Sequence, residues 1–189
     1  KLDYVYWSSP VTSFASNQIS TGTNPGLIYK WSPTTANLNN FGTWVSGNET
    51  MTVGKGYIVR GPDSYTTTIS PFTATFIGTP NNGNITTQIA RGTWNGGTYS
   101  NGISPTLGTN DDDNWNLIGN PYPSAIDAID FLTNNTNIEG FINIWTHGNL
   151  PDAGVADPFY NDYVYNYTSS DYITYNAAGA STGPDTYNG

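Results

Sequence analysis

The chain has 189 residues, 36% of them hydrophobic and only 10% charged, and a net charge of −9. Its five cations (Lys1, Lys30, Lys55, Arg60 and Arg91) are too few to follow a phosphate backbone, which argues against nucleic acid and, by the same repulsion, against anionic polysaccharides and anionic membranes. The absence of cysteine excludes disulfides, thiolate-held zinc and cysteine nucleophiles, and no apolar run reaches the ~18–20 residues of a membrane helix, so no membrane insertion is expected.

From the N-terminus onward, β-branched and aromatic runs bounded by Gly, Pro, Asn or Asp predict strands at Tyr4–Ser8, Leu27–Trp31, Gly56–Arg60, Tyr65–Ile69, Thr73–Ile77, Ile85–Ala90, Asn116–Ile118, Phe141–Trp145, Tyr163–Tyr167 and Tyr172–Tyr175. Turns are marked by Asn24-Pro25-Gly26, Asn82-Gly83, Asn95-Gly96-Gly97 and Asn101-Gly102. The 14 Tyr, 7 Phe and 6 Trp supply the apolar area that a disordered chain lacks. These features predict a single all-β domain over 1–189, β-sandwich or jelly-roll-like, with one short helix. That helix is expected at Ala125–Leu132, with Ser124 as its cap and Asp127 at its positive end. Asp127 and Asp130 are then helix-dipole partners rather than a catalytic pair.

Two stretches repeat one another loosely. Trp7-Ser8-Ser9-Pro10 is followed by Ile28-Tyr29-Lys30-Trp31, and Ile118-Gly119-Asn120-Pro121 by Ile142-Asn143-Ile144-Trp145. Two pseudo-repeats, 1–90 and 110–189, joined by a Gly/Asn/Thr-rich connection, would account for this.

The run Trp115-Asn-Leu-Ile-Gly-Asn-Pro-Tyr-Pro-Ser-Ala-Ile-Asp127, followed by Ile144-Trp145-Thr146-His147, resembles a segment of very large secreted, adhesin-like proteins of Bacteroidota. Trp7-Ser-Ser-Pro10, Val53-Gly-Lys-Gly-Tyr57 and Thr75-Phe-Ile-Gly-Thr-Pro-Asn-Asn-Gly83 share the resemblance, and Gly119-Asn-Pro-Tyr-Pro-Ser124 is its most specific part. The resemblance implies type IX secretion, a cell-surface or extracellular location and a β-architecture, and it carries over no catalytic residues. No signal peptide is seen and the chain opens at Lys1, so it is expected to be a mature or excised piece of a longer protein with other domains as neighbours.

Enzymatic motifs are missing. His147 is the sole histidine, and no nucleophile elbow, zinc-protease signature or phosphate loop occurs. Asp111, Asp112 and Asp113 repel one another, and a hard cation would relieve that, so these residues read either as a solvated turn before the Trp115 strand or as ligands of Ca²⁺, the one cofactor the sequence offers, though the loop matches no known calcium code. Aromatics in loops are the natural stacking surface for sugars. Trp44 beside Gly42, Trp94 and Tyr99 around the Asn95 turn, His147 beside Gly148, and Tyr160, Tyr163 and Tyr165 are the expected ligand contacts. Tyr163, Tyr165 and Tyr167 alternate on one strand face, which suits core, glycan platform or subunit contact alike. Trp7, Trp31, Trp115 and Trp145 stand within strand-like runs and are expected in the core with paired N–H groups.

The expected function is non-catalytic: recognition of a glycan or other cell-surface ligand, for adhesion or enzyme targeting. The alternatives are a self-assembling subunit or spacer of a surface fibre, and an unrecognised hydrolase.

Overall fold

In the computed structural model, residues 4–35, 42–66, 68, 70–92, 98–100, 105–107, 115–145 and 172–180 are described, with 98–100 and 105–107 described by backbone alone. The described elements are strands, two single-turn 3-10 helices (Ser16–Gln18 and Pro25–Leu27) and one short α-helix, an all-β architecture as the turn chemistry predicts. The chain divides into two units, Lys1–Tyr99 with Pro105–Ser124, and Ser100–Ser104 with Ala125–Gly189.

The first unit is built on β1 (Tyr4–Trp7), β2 (Ile28–Ser32), β3 (Thr43–Ser46) and β4 (Tyr57–Arg60), ordered β1-β4-β2-β3. All three pairings are antiparallel, and Tyr6↔Ile58 and Ile58↔Tyr29 fix the register across the centre. Side chains alternate between faces along each strand. Ile28, Tyr57 and Val59 therefore point the same way, into a core completed by Val11, Phe14, Ile19 and Met51. Burying each such apolar side chain contributes about 1.5–3 kcal/mol. At the core's edge Glu49 accepts from Lys30 Nζ at 2.6 Å and from the Tyr57 hydroxyl at 2.8 Å, and that hydroxyl accepts from Thr52 N at 2.9 Å.

Of the expected strands, Tyr163–Tyr167 lies outside the described residues, Asn116–Ile118 makes only the isolated bridge Lys55↔Ile118, and three others form no ladder. The described parts of 65–69, and Thr73–Ile77 and Ile85–Ala90, run without strand partners. The period-two pattern that suggested Thr73–Ile77 is real: Ala74 and Phe76 pack on the core, while Ile77 is 82% exposed. Phe76 meets Phe14 at 4.7 Å and Trp7 at 6.2 Å. Alternation there reflects an extended segment laid on the core through its side chains, with backbone contact limited to the Val11↔Pro80 bridge and the bonds beside it. Conversely, β3 forms where no strand was expected.

The quoted sequence motifs meet at one junction. Gly56 N donates to Leu117 C=O at 3.2 Å, and Gly119 N to Gly54 C=O at 3.1 Å, so Leu117–Gly119 extends the end of β4 by a short bridge. Ser8 Oγ donates to Asn120 C=O at 2.6 Å. Asn81, 7% exposed, gives its side-chain amide to Ser9 C=O at 3.1 Å and Pro121 C=O at 2.9 Å, tying the two proline turns together. Glycine is required by close approach: a Cβ on Gly119 would fall on Ser8 Cβ, and one on Gly56 would stand 2.5 Å from Leu117 Cγ. Asn120 Oδ1 accepts from Tyr122 N at 3.0 Å, the bond that shapes the turn before the helix.

A separate two-stranded pair is formed by β5 (Thr98–Ser100) and β6 (Pro105–Leu107). The second unit holds α1 (Ala128–Asn134) and a sheet ordered β7 (Phe141–Trp145), β8 (Tyr172–Asn176), β9 (Gly179–Ala180). The helix starts at Ala128, not Ala125, because its cap is Asp127, whose carboxylate accepts from Ile129 N and Asp130 N at 2.8 and 3.0 Å. Ser124 instead gives its carbonyl to Asn120 Nδ2 at 2.6 Å. Asp127 is thus occupied as a cap, which fits its reading as a structural acid.

Candidate functional site

The sheet face turned away from the first unit's core is aromatic. Alternation puts Tyr4 and Tyr6 of β1, Tyr29 and Trp31 of β2 and Trp44 of β3 on it, with Ile58 and Arg60 of β4 between them. The rings confirm that placement. Tyr4 and Tyr29 lie 6.1 Å apart, Tyr6 and Trp44 6.4 Å, and Trp31 and Trp44 5.2 Å with planes at 76°. These are the tilted and edge-to-face arrangements that ring quadrupoles favour. Ile58 is buried at 8% exposure, while all five rings keep some solvent exposure.

The Trp115–Gly119 segment bounds this face at one end. Trp31 Nε1 donates to Trp115 C=O at 2.8 Å, which fixes the indole's orientation, and Trp115 is itself 43% exposed. The expectation of a core Trp31 and a core Trp115 is therefore corrected: Trp31 stands on the face away from the core, and Trp115 does not enter the core either. The Trp115 backbone is used as an acceptor while its ring stays at the surface, and Trp7, Trp31 and Trp145 are half-buried.

The face carries little charge. Its one cationic side chain on the four strands, Arg60, pairs with Asp63. The other cation on these strands, Lys30, has the opposite strand parity and pairs with Glu49 at 2.6 Å. Burial pushes the Tyr57 hydroxyl pKa above its ordinary 10.0; the Thr52 backbone bond opposes this and the Glu49 carboxylate reinforces it. Burial likewise lowers the Lys55 pKa from its ordinary 10.5, and that ammonium donates to Gln88 C=O.

Of the expected ligand residues, Trp44 lies on this face, in β3 rather than in a loop. Tyr99 falls in β5, described by backbone alone. Trp94, His147, Tyr160, Tyr163 and Tyr165, and the expected calcium ligands Asp111, Asp112 and Asp113, lie outside the described residues. Among the described residues no group of three or more acidic or histidine side chains is placed to hold a metal. Tyr4, Tyr6, Tyr29 and Trp31 were missed as site residues. Their signal was present as Tyr4-x-Tyr6 and Tyr29-x-Trp31, two aromatic pairs at strand spacing.

A family model described as a domain of unknown function, DUF8693, matches residues 1–189. The chain belongs to this family. No curated protein and no solved structure matches it.

Proposed function

We propose that the chain is a non-catalytic, extracellular binding module that takes a neutral carbohydrate on the aromatic face of its first sheet, for adhesion or for targeting an attached domain. The observation that carries this reading is the gathering of Tyr4, Tyr6, Tyr29, Trp31 and Trp44 on the face away from the core. Buried apolar area is worth most inside, so five such rings on the outer face are not explained by the core. The electron-rich faces of Trp and Tyr suit the polarised C–H groups of a pyranose. With Arg60 already paired to Asp63, a neutral ligand displaces water without stripping an unpaired charge. The extracellular part of the proposal rests on the resemblance of Gly119–Ser124 to secreted Bacteroidota proteins.

The test is a binding screen of the full chain on immobilised neutral polysaccharides, with and without EGTA. Trp44→Ala is expected to weaken binding by roughly 30-fold, the loss of about 2 kcal/mol usual for an aromatic anchor. Loss of binding in EGTA, reproduced by Asp112→Asn, would assign Ca²⁺ to the Asp111–Asp113 loop. Absence of binding to any neutral polysaccharide under either condition would end the proposal.

A second reading, a self-assembling subunit of a surface layer, is favoured by Ile126, Ile129, Phe141 and Ile144, which are 38–45% exposed in the second unit. It requires concentration-dependent association in sedimentation.

A further inference from the structure

Asn82 and Gly83 form an exposed turn directly after the buried bridging residue Asn81. Asn81 is fixed by its backbone N–H to Pro10 C=O at 2.8 Å and by its side chain to Ser9 and Pro121. On the other side, the Tyr122 hydroxyl donates to Gly83 C=O at 2.7 Å. The Asn82–Gly83 link therefore lies between two anchors of the same junction. The Gly83 N–H donates to Asn82 Oδ1 at 2.8 Å, which brings the backbone nitrogen alongside the carboxamide carbon of the preceding residue. Gly83 has φ +75°, and apart from its chain neighbours nothing stands within 4 Å of where a Cβ would be, so the turn is open on the glycine's side-chain side.

We propose that Asn82 is a site of spontaneous deamidation that loosens the junction. The Gly83 nitrogen attacks Asn82 Cγ, and the new C–N bond closes a cyclic imide. The carboxamide nitrogen leaves as ammonia, taking up the proton that the Gly83 nitrogen loses. Water then adds to either imide carbonyl and opens the ring to aspartate or isoaspartate, so solvent water is the only co-reactant. Both products add a negative charge to a chain already at −9. The isoaspartate route also inserts a methylene into the main chain between Asn81 and Gly83. The longer link no longer holds the Asn81 bridge and the Tyr122–Gly83 bond in register together, and the Pro121–Ser124 turn is released.

The test is incubation of the full chain in mildly alkaline buffer, followed by peptide mapping with fragmentation that separates aspartate from isoaspartate. Mapping also separates Asn82 from the other Asn-Gly steps at Asn95, Asn101 and Asn188. Asn82 is expected to convert at least as fast as in a free peptide of the same local sequence, and the converted protein to melt at a lower temperature. Asn82→Gln, which would have to close a larger ring, is expected to stay unconverted and to keep its melting temperature through the same incubation. An Asn82 that stays intact in the folded chain while the peptide converts would overturn the proposal. So would converted and unconverted protein that melt alike.

Discussion

Among the described residues, the first unit buries Val11, Phe14, Ile19, Ile28, Met51, Tyr57 and Val59 in one cluster, whereas the second buries Leu132 and leaves Ile126, Ile129, Phe141 and Ile144 exposed. Each contains an aliphatic-x-x-Trp strand, Ile28–Trp31 in β2 and Ile142–Trp145 in β7, and the two tryptophans are held differently. Trp31 gives its N–H to the Trp115 carbonyl at 2.8 Å and stacks edge-on with Trp44. Trp145 meets the ring of Tyr172, its cross-strand partner, at 5.1 Å. Similar strands thus carry different weight: in the first unit the strand has a core on one face and an aromatic surface on the other. The difference teaches that local pattern sets the strand, while long-range packing decides what its faces do.

The comparison can be broken at the junction that completes the first unit. Gly119→Ala places a methyl on Ser8 Cβ and is expected to cost the most, about 3 kcal/mol or more, visible as a large fall in the chemical-denaturation midpoint of the first unit. Asn81→Ala leaves the carbonyls of Ser9 and Pro121 without their shared donor and is expected to cost about 2 kcal/mol in the same measurement.

A smaller effect is expected from pH. The folded pKa of Tyr57 lies above its unfolded value, so the stability linked to its proton is complete below pH 10.0 and is lost as pH rises through the folded value. Lys55 works in the opposite direction, because its folded pKa lies below 10.5 and the unfolded chain holds that proton longer. Comparison with Tyr57→Phe isolates the tyrosine: the wild-type advantage, about 1 kcal/mol at neutral pH, should shrink above pH 10.0 in denaturation curves. The smallest effect is expected in the second unit, where Ile144→Ser removes a side chain already 45% exposed and should shift stability by less than about 1 kcal/mol.

Much of this was legible in the residues. Strands β1, β2, β4, β7 and β8 follow from β-branched and aromatic runs, and the helix from the Ser124-x-x-Asp127 pattern before an apolar stretch, although its cap is Asp127 and not Ser124. The bonding of Thr73–Ile77 was not legible, because period-two alternation reports which side chains turn inward and is silent on whether a backbone partner runs alongside. Strand β3 was missed since Thr43–Ser46 is short and Trp44 sits near Gly42, so turn chemistry masked the strand. The motifs Trp7–Pro10, Val53–Tyr57, Asn81–Gly83 and Gly119–Ser124 were legible as unusual, and their convergence was not, because it depends on contacts between residues far apart in sequence. Trp44, the one expected site residue whose side chain is among those described, is placed on the aromatic face, and strand parity supplies its companions.

The most direct measurement is affinity electrophoresis of three proteins, the wild type, Trp44→Ala and Ile144→Ser, through gels containing a neutral polysaccharide that retards the wild type. With the ligand on the first sheet's aromatic face, Trp44→Ala runs nearly unretarded and Ile144→Ser is held back like the wild type. Equal retardation of Trp44→Ala and wild type, or loss of retardation in Ile144→Ser alone, would contradict it.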